Sequence, residues 1–210
     1  MDSKTQIKYI KTDFPISEFE NKVWKKAKEI SVGKYWSGDD APKGRQFKAR
    51  LLWSETAIYV RFEANKGEPL IVSEKPNLTS KTRGLWDRDV CEIFIAPHPQ
   101  EVNRYFEFEA APTGEWIDLA IHLTPAKRET DWEFHSGMTA AASVTADRVT
   151  IAMHIPWDDW IHKPQKGEKW RVNLFRCVGT GDERYMAWQP TRTAEPNFHV
   201  SEVFGWLEFS

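Results

Sequence analysis

The sequence is poor in cysteine, which argues against a disulfide-stapled scaffold and a cysteine-rich metal site. Its 210 residues include two cysteines, Cys91 and Cys177, which lie 86 positions apart. Neither their number nor their spacing matches a disulfide framework or a zinc motif. Both fall in strand-like stretches, so we expect two buried free thiols, although a single bridge between strands stays open.

Long apolar runs and an excess of charge of either sign are also missing. No run approaches the roughly 18 apolar residues of a membrane span, and residues 1–11 (MDSKTQIKYIK) contain no apolar core of a secretory signal. A cytoplasmic protein is the literal expectation, and a secreted or periplasmic one would follow if a leader had been removed. The formal net charge of −2 and the absence of a basic stretch interleaved with aromatics argue against a nucleic-acid partner, and the missing apolar run argues against a membrane partner.

Helical periodicity is scarce, and alternation of apolar and polar residues dominates instead. Residues 17–30 approach helical spacing, and residues 155–161 (IPWDDWI) read as a single turn. About nine or ten strands at short intervals predict one all-β domain over residues 1–210, an antiparallel β-sandwich of jelly-roll type with a short N-terminal extension. The clearest alternating stretches are RQFKARLLWS (45–54), AIYVRFEAN (57–65), RYFEFEAAPTGEWIDLAIH (104–122), SGMTAAASVTADRVTIAMHIPW (136–157), KWRVNLFRC (169–177) and GWLEFS (205–210).

Aromatic residues indicate a surface that binds flat ligands. The chain contains 11 tryptophans, more than a core of this size needs, and indole rings stack well on flat, weakly polar ligands. Residues 179–204 show no clean strand period yet contain several aromatic side chains, among them Trp188. A long ordered loop of this composition is a common location for a binding site.

Charged residues cluster around the stretch LWDRDVCEIF, residues 85–94. Glu92 shares a strand face with Val90 and Phe94, in a strand apolar enough to be central. A carboxylate at such a position needs hydrogen-bond partners or a ligand with hydroxyl donors. If the strand that begins at Arg104 is its neighbour, one sheet face carries Glu92 together with Glu107 and Glu109.

The order of these motifs resembles the family 9 carbohydrate-binding modules and related DOMON-like β-sandwiches. The likeness starts near Arg45 and runs through LWDRDVCEIFIAP, RYFEFEAAPTGEWIDLAIH, WRVNLFRC and AWQPT to PNFHVSEVFGWLEF. It implies a non-catalytic module that binds a mono- or oligosaccharide by stacking a sugar ring between two tryptophans. On this resemblance Trp86 and Trp188 are the two tryptophans, and Glu92 is the acidic hydrogen-bond partner.

The resemblance also implies further polar contacts, and it requires no cofactor. Some family members hold a structural calcium ion, and whether this chain also holds one stays open. The sequence contains no D-x-D-x-D loop, and no metal ligand is assigned. Oligomeric state is undetermined. Arg176 has the parity of core-facing residues in its strand, so a bulge, a buried carboxylate partner and a ligand contact all stay open. The further candidates are Arg104, Gln189 and Asn197, followed by Arg88, Tyr105, Glu107, Arg176 and His199.

Two other functions compete with carbohydrate binding. Glu107 and Glu109 lie two residues apart on one strand face, about 7 Å along the strand, and paired carboxylates are what glycoside hydrolases use. A haem site is the less favoured alternative, because related sandwiches bind haem through methionine and histidine. Its candidate ligands would be Met138, Met153, Met186, His154 and His199.

Overall fold

The computed structural model describes residues 4–210, and thirteen β-strands make up most of the regular structure in that range. Short 3-10 turns at Lys22–Lys26, Leu85–Asp87, Pro99–Glu101, Asp182–Arg184 and Ser201–Val203 are its helical segments. The strands are β1 (Lys4–Tyr9), β2 (Ile30–Val32), β3 (Phe47–Trp53), β4 (Ala57–Asn65), β5 (Val90–Ala96), β6 (Arg104–Ala110), β7 (Trp116–Leu123), β8 (Arg128–Asp131), β9 (Thr139–Val144), β10 (Arg148–Pro156), β11 (Lys169–Cys177), β12 (Tyr185–Ala187) and β13 (Gly205–Phe209).

The strands form two halves of a sandwich that the first strand joins. One half has the order β8-β7-β6-β5-β11-β13, and the other has the order β3-β4-β10-β9. Strand β1 runs parallel to both β13 and β3, while the remaining pairs are antiparallel. Strands β12 and β2 add to β11 and β3. The predicted all-β antiparallel sandwich is therefore confirmed.

The main hydrophobic core lies between the two halves. Alternation predicts which side chains enter it, because successive residues of a strand point to opposite faces. Phe47, Ala49 and Leu51 of β3 meet Cys91 and Ile93 of β5 in this core. The same rule leaves every second residue of each half on an outer face, where other segments must cover it.

The N-terminal segment covers the outer face of the second half and contains less helix than its spacing predicts. Trp24 packs there with Tyr59 and Ala152. The expected helix over residues 17–30 shrinks to the 3-10 turn Lys22–Lys26, and Ala27 is already extended. The chain must extend here because Ile30–Val32 pairs with β3 as an edge strand.

The outer face of the first half forms a second apolar cluster and leaves a cleft. Val90 and Phe94 of β5 pack there with Phe175 of β11, and Phe198 of the long loop covers part of it. Across residues 4–210, no helix has the length and apolar character of a membrane-crossing segment.

Candidate functional site

A cleft of about 250 Å³ opens on the outer face of β5, β6 and β7. Sheet residues form its floor, and three loops form its walls. The 3-10 turn before β5 lies on one side, the chain after β8 on another, and the loop at residues 196–199 along the rim. The lining residues are Trp86, Glu92, Phe94, Glu107, Glu109, Leu119, Ile121, Arg128, Thr130, Trp132, Cys177, Tyr185, Pro196, Asn197, Phe198 and His199.

Three carboxyl groups occupy the floor of the cleft. Glu92 pairs directly with Glu109 across β5 and β6, and Glu107 lies two residues before Glu109 on the same face. One oxygen of each group lies within 4.8 Å of the other two. Glu92 is 2%, Glu107 4% and Glu109 0% exposed. The predicted platform of carboxylates is therefore present, and it is buried below the surface.

The floor contains fewer hydrogen-bond donors than its oxygens need. The Cys177 thiol donates to Glu92 Oε1 over 3.4 Å. Glu107 Oε2 and both oxygens of Glu109 are buried without a hydrogen-bond partner. A proton on Glu109 would let that carboxyl donate to Glu107. Buried carboxyl oxygens without donors are costly, so the floor is suited to a ligand that supplies donors or positive charge.

Burial disfavours charge on all three groups. Burial, and then the negative charge of Glu107, raises the pKa of Glu92 to about 8. Burial also raises the pKa of Glu107. Burial together with the charges of Glu92 and Glu107 raises the pKa of Glu109 well above its usual range. In the absence of a ligand, the cluster therefore carries fewer than three negative charges at neutral pH.

Two tryptophans form a wall of the cleft. The ring centroids of Trp86 and Trp132 are 6.1 Å apart, and their planes are inclined by 44°. The guanidinium carbon of Arg83 lies 5.1 Å from the Trp132 ring centroid. Both indoles are partly exposed, so each offers apolar surface to a ligand in the cleft.

A buried anchor holds the loop that carries Trp132. Asp118 of β7 accepts hydrogen bonds from the Ser136 amide at 2.6 Å and from the Ser136 hydroxyl at 2.7 Å. Its other oxygen lies 2.9 Å from Lys81 Nζ. At the start of the loop, Asp131 Oδ1 accepts from the amide of Phe134. These contacts keep the segment after β8 folded back against the sheet.

The rim contains an ordered histidine and an exposed amide. His199 Nδ1 lies 2.6 Å from the Tyr105 hydroxyl, and its Nε2 lies 4.0 Å from Glu107 Oε2. Burial, and then the charge of Arg128, lowers the pKa of His199 to about 3, so its ring is neutral at neutral pH. Asn197 Oδ1 accepts from the His199 amide, which leaves the Asn197 side-chain nitrogen to donate to a ligand.

The structure gathers part of the predicted site in this cleft. Trp86, Glu92, Glu107, Asn197 and His199 line it. Tyr105 is buried beside it and reaches it through His199.

Trp188 lies on the opposite side of the sheet from Trp86. The residues around β12 alternate, so Tyr185 lines the cleft while Met186 faces the main core. Trp188 shares the parity of Met186 and packs against the same core. The partner of Trp86 is instead Trp132. The sequence does not predict Trp132 as a site residue, because the preceding strand RETD (128–131) is too polar to be recognised as a strand.

Gln189 lies outside the cleft, next to Trp188. The main-chain N–H of Gln189 donates to Asn173 Oδ1, and its main-chain carbonyl accepts from Asn173 Nδ2, both over 2.9 Å. These two bonds fasten the chain after β12 to β11.

The three predicted arginines also lie outside the cleft. Arg88 is 3.6 Å from Glu115, and Arg104 is an exposed residue 3.8 Å from Glu101. Arg176 is 3% exposed and donates to two main-chain carbonyls, those of Arg45 at 2.6 Å and Asn65 at 2.8 Å. These carbonyls explain its core-facing parity, and the regular register of β11 with β5 at this position contains no bulge.

The structure brings no methionine to the cleft lining in the described range. Met138, Met153 and Met186 belong to the main core. His199 lines the cleft on the other side of the sheet, and His154 contacts Tyr59 on the other half. The alternative haem site is therefore not assembled from these candidates.

The two cysteines are free and face opposite sides of the sheet. Cys91 belongs to the main core, whereas Cys177 belongs to the cluster beside the cleft. The expectation of two buried free thiols is confirmed.

Solved structures of related fold include carbohydrate-binding proteins. A candidate carbohydrate-binding protein from Bacteroides uniformis superposes with a TM-score of 0.77 at 16% identity, covering 100% of both chains. A family 9 carbohydrate-binding module from Caldicellulosiruptor kristjanssonii in complex with cellotriose gives a TM-score of 0.68 at 13% identity, over 99% of this chain and 94% of that one. At these identities the similarity establishes the fold.

Sequence comparison identifies the family. An extracellular protein of Arthroderma benhamiae is 25% identical over 181 residues, 78% of each chain. Endo-1,4-beta-xylanase C of Paenibacillus barcinonensis is 32% identical over 91 residues, which are 43% of this chain and 7% of that protein. The family model described as carbohydrate family 9 binding domain-like matches residues 18–210. The chain therefore belongs to the carbohydrate family 9 binding domain-like family.

Proposed function

We propose that the chain binds carbohydrate in this cleft, with the sugar against Trp86 and Trp132 and its hydroxyls toward the carboxyl floor. Membership of the family supports this function, as do the relatives of similar fold that were solved with cellotriose and glucose. Those relatives support the class of ligand, and the residues of this chain supply the contacts.

The observation that carries the proposal is that one cleft combines carboxyl oxygens without hydrogen-bond donors and the partly exposed indole faces of Trp86 and Trp132. Sugar hydroxyls donate hydrogen bonds, and Glu107 Oε2 and both oxygens of Glu109 are buried without a hydrogen-bond partner. The C–H faces of a pyranose ring are apolar enough to pack on indole. A sugar therefore supplies both the hydroxyl donors that the carboxyl oxygens lack and an apolar face for the indoles. Asn197 and Arg128 add donors at the rim.

The spacing of the two tryptophans determines how a sugar would lie. A ring inserted between two indoles needs about 7 to 8 Å between them, twice the usual contact distance of 3.5 to 4.0 Å. The 6.1 Å between Trp86 and Trp132 is too short for that. We infer that the sugar stacks on the cleft-facing surface of the pair. A cleft of about 250 Å³ suits one sugar ring, either a monosaccharide or the terminal ring of an oligosaccharide.

Glycoside hydrolysis is less consistent with this floor. That reaction needs two carboxyl groups on either side of the scissile bond, one of them placed to protonate the leaving group. Glu92, Glu107 and Glu109 instead project from one face of two adjacent strands and approach a ligand from the same side. Recognition is therefore the better-supported role.

Calorimetric titration of the full chain with a panel of mono- and oligosaccharides tests the proposal. We expect saturable binding of at least one sugar, weakened at least tenfold in Trp86→Ala and in Trp132→Ala. Trp160→Ala is the matched control, because Trp160 is 58% exposed and does not line the cleft. A flat response across the panel, or wild-type affinity in both cleft variants, would contradict the proposal.

A further inference from the structure

The three carboxylates of the cleft floor are spaced as ligands of a single cation. Glu92, Glu107 and Glu109 each present an oxygen within 4.8 Å of the other two. Two oxygens on opposite sides of a calcium ion, each at about 2.4 Å, are about 4.8 Å apart. Three oxygens at that pairwise limit would lie about 2.8 Å from a common centre, so small side-chain rotations bring all three to the roughly 2.3 to 2.6 Å that a calcium ion requires.

Glu109 indicates independently that something binds at this point. Its side chain is 0% exposed, it lines the cleft, and neither of its oxygens has a hydrogen-bond partner. Glu107 Oε2 is buried in the same condition. A buried carboxylate without a partner is strongly unfavourable, and a bound cation removes that cost for all three groups together.

The donor atoms select the type of cation. Carboxylate oxygens are hard ligands that suit calcium, whereas zinc prefers histidine nitrogen and cysteine sulfur. Calcium also takes six to eight oxygens in a flexible arrangement, so three glutamates leave positions open toward the cleft.

We propose that the cleft floor binds one calcium ion, with Glu92, Glu107 and Glu109 as its protein ligands and water or ligand hydroxyls in the remaining positions. The proposal concerns the ion alone and does not require the chain to bind a sugar. It locates the ion beside the tryptophan wall, where it would add a charged contact for any ligand rich in hydroxyls.

Titration of the chelator-treated full chain with calcium chloride, in the absence of sugar, tests the assignment. We expect one ion per chain with a Kd between about 1 µM and 1 mM. Glu109→Gln should weaken binding at least tenfold. Glu129→Gln is the matched control, because it removes the same charge from an exposed residue of β8 outside the cluster. Terbium luminescence excited through tryptophan should follow the same order, because Trp86 and Trp132 lie beside the floor.

No saturable heat up to about 10 mM calcium, or equal affinity in the two glutamine variants, would overturn the proposal. The carboxyl groups would then be held together by shared protons. If Glu109→Gln fails to fold, Glu107→Gln and the melting temperature of the wild type decide. A rise in Tm with calcium supports the site, and an unchanged Tm overturns it. These titrations contain no sugar, so their failure leaves the carbohydrate proposal to its own experiment.

Discussion

Replacing Asp118 by asparagine should destabilise the fold and release the loop that holds Trp132. Asp118 is 0% exposed and lies 2.9 Å from Lys81 Nζ, while its second oxygen accepts two hydrogen bonds from Ser136. Asparagine keeps the shape of the side chain and one acceptor oxygen. It loses the charge that faces Lys81 and can direct an N–H₂ group at that ammonium.

The expected loss is about 2 to 3 kcal/mol in the free energy of unfolding. Removing one partner of a fully buried ion pair costs about 3 to 5 kcal/mol. The lower part of that range, or somewhat below it, applies because Lys81 is 19% exposed and also donates to the main-chain carbonyls of Asp118 and Phe134. Such a loss is a sizeable part of the roughly 5 to 15 kcal/mol that stabilises a typical domain.

Urea unfolding of the wild type and of Asp118→Asn measures this quantity directly. The midpoint should fall with an unchanged slope. Glu133→Gln in the same loop is the control, and its exposed pair with Arg83 at 3.2 Å should contribute under about 1 kcal/mol. A loss below about 0.5 kcal/mol in Asp118→Asn would refute the reasoning. So would a double-mutant cycle with Lys81→Met that shows no coupling, since contacting partners normally couple by about 0.5 kcal/mol or more.

Three further outcomes follow from the structure. Arg176→Lys should lower the free energy of unfolding by about 1.5 to 3 kcal/mol, because it breaks the hydrogen bonds to the two main-chain carbonyls. It should leave sugar affinity unchanged. Weakened sugar binding by a folded variant would place Arg176 in the site. Burial raises the pKa of the Cys91 thiol to about 12 and raises that of Cys177 well above its usual range. Native protein should therefore react slowly with a thiol reagent, and denatured protein should show two free thiols. Rapid reaction of the native protein would contradict the burial of these thiols. Burial raises the pKa of Asp13, but hydrogen bonds from Ser54, Thr56 and Tyr59 together outweigh this effect and lower the pKa. The stabilising contribution of Asp13 is therefore complete above its unfolded pKa of about 3.9 and is lost as the pH falls through the lower folded value. Acid titration followed by circular dichroism should therefore show a smaller acid-induced loss of stability in Asp13→Asn, and identical curves would refute this.

Short or weakly apolar strands are the part of the fold that alternation does not reveal. β1 alternates in burial, but its inward positions are Thr5, Ile7 and Tyr9, so its six residues show little apolar period. β8 and β12 have four and three residues, too few to show a period of two. Their existence depends on the strands beside which they lie, and this information is not local.

Alternation, in contrast, placed Glu92 correctly on one sheet face, because the period of a strand is a local property of the chain. Whether Glu107 and Glu109 would share that face was conditional on the neighbour of β5. The antiparallel pairing of β5 with β6 settled it and brought Glu92 opposite Glu109.

The sequence by itself therefore determined the fold class, the strand faces and the carboxylate on the central strand, since period and composition act over a few residues. Only the tertiary structure decided which second tryptophan meets Trp86. Trp188 lies on the core side by the parity of β12, and Trp132 is brought to the cleft by the anchor at Asp118. A cleft is assembled from loops that are distant in sequence, and their positions depend on buried contacts that form only when the whole sheet is in place.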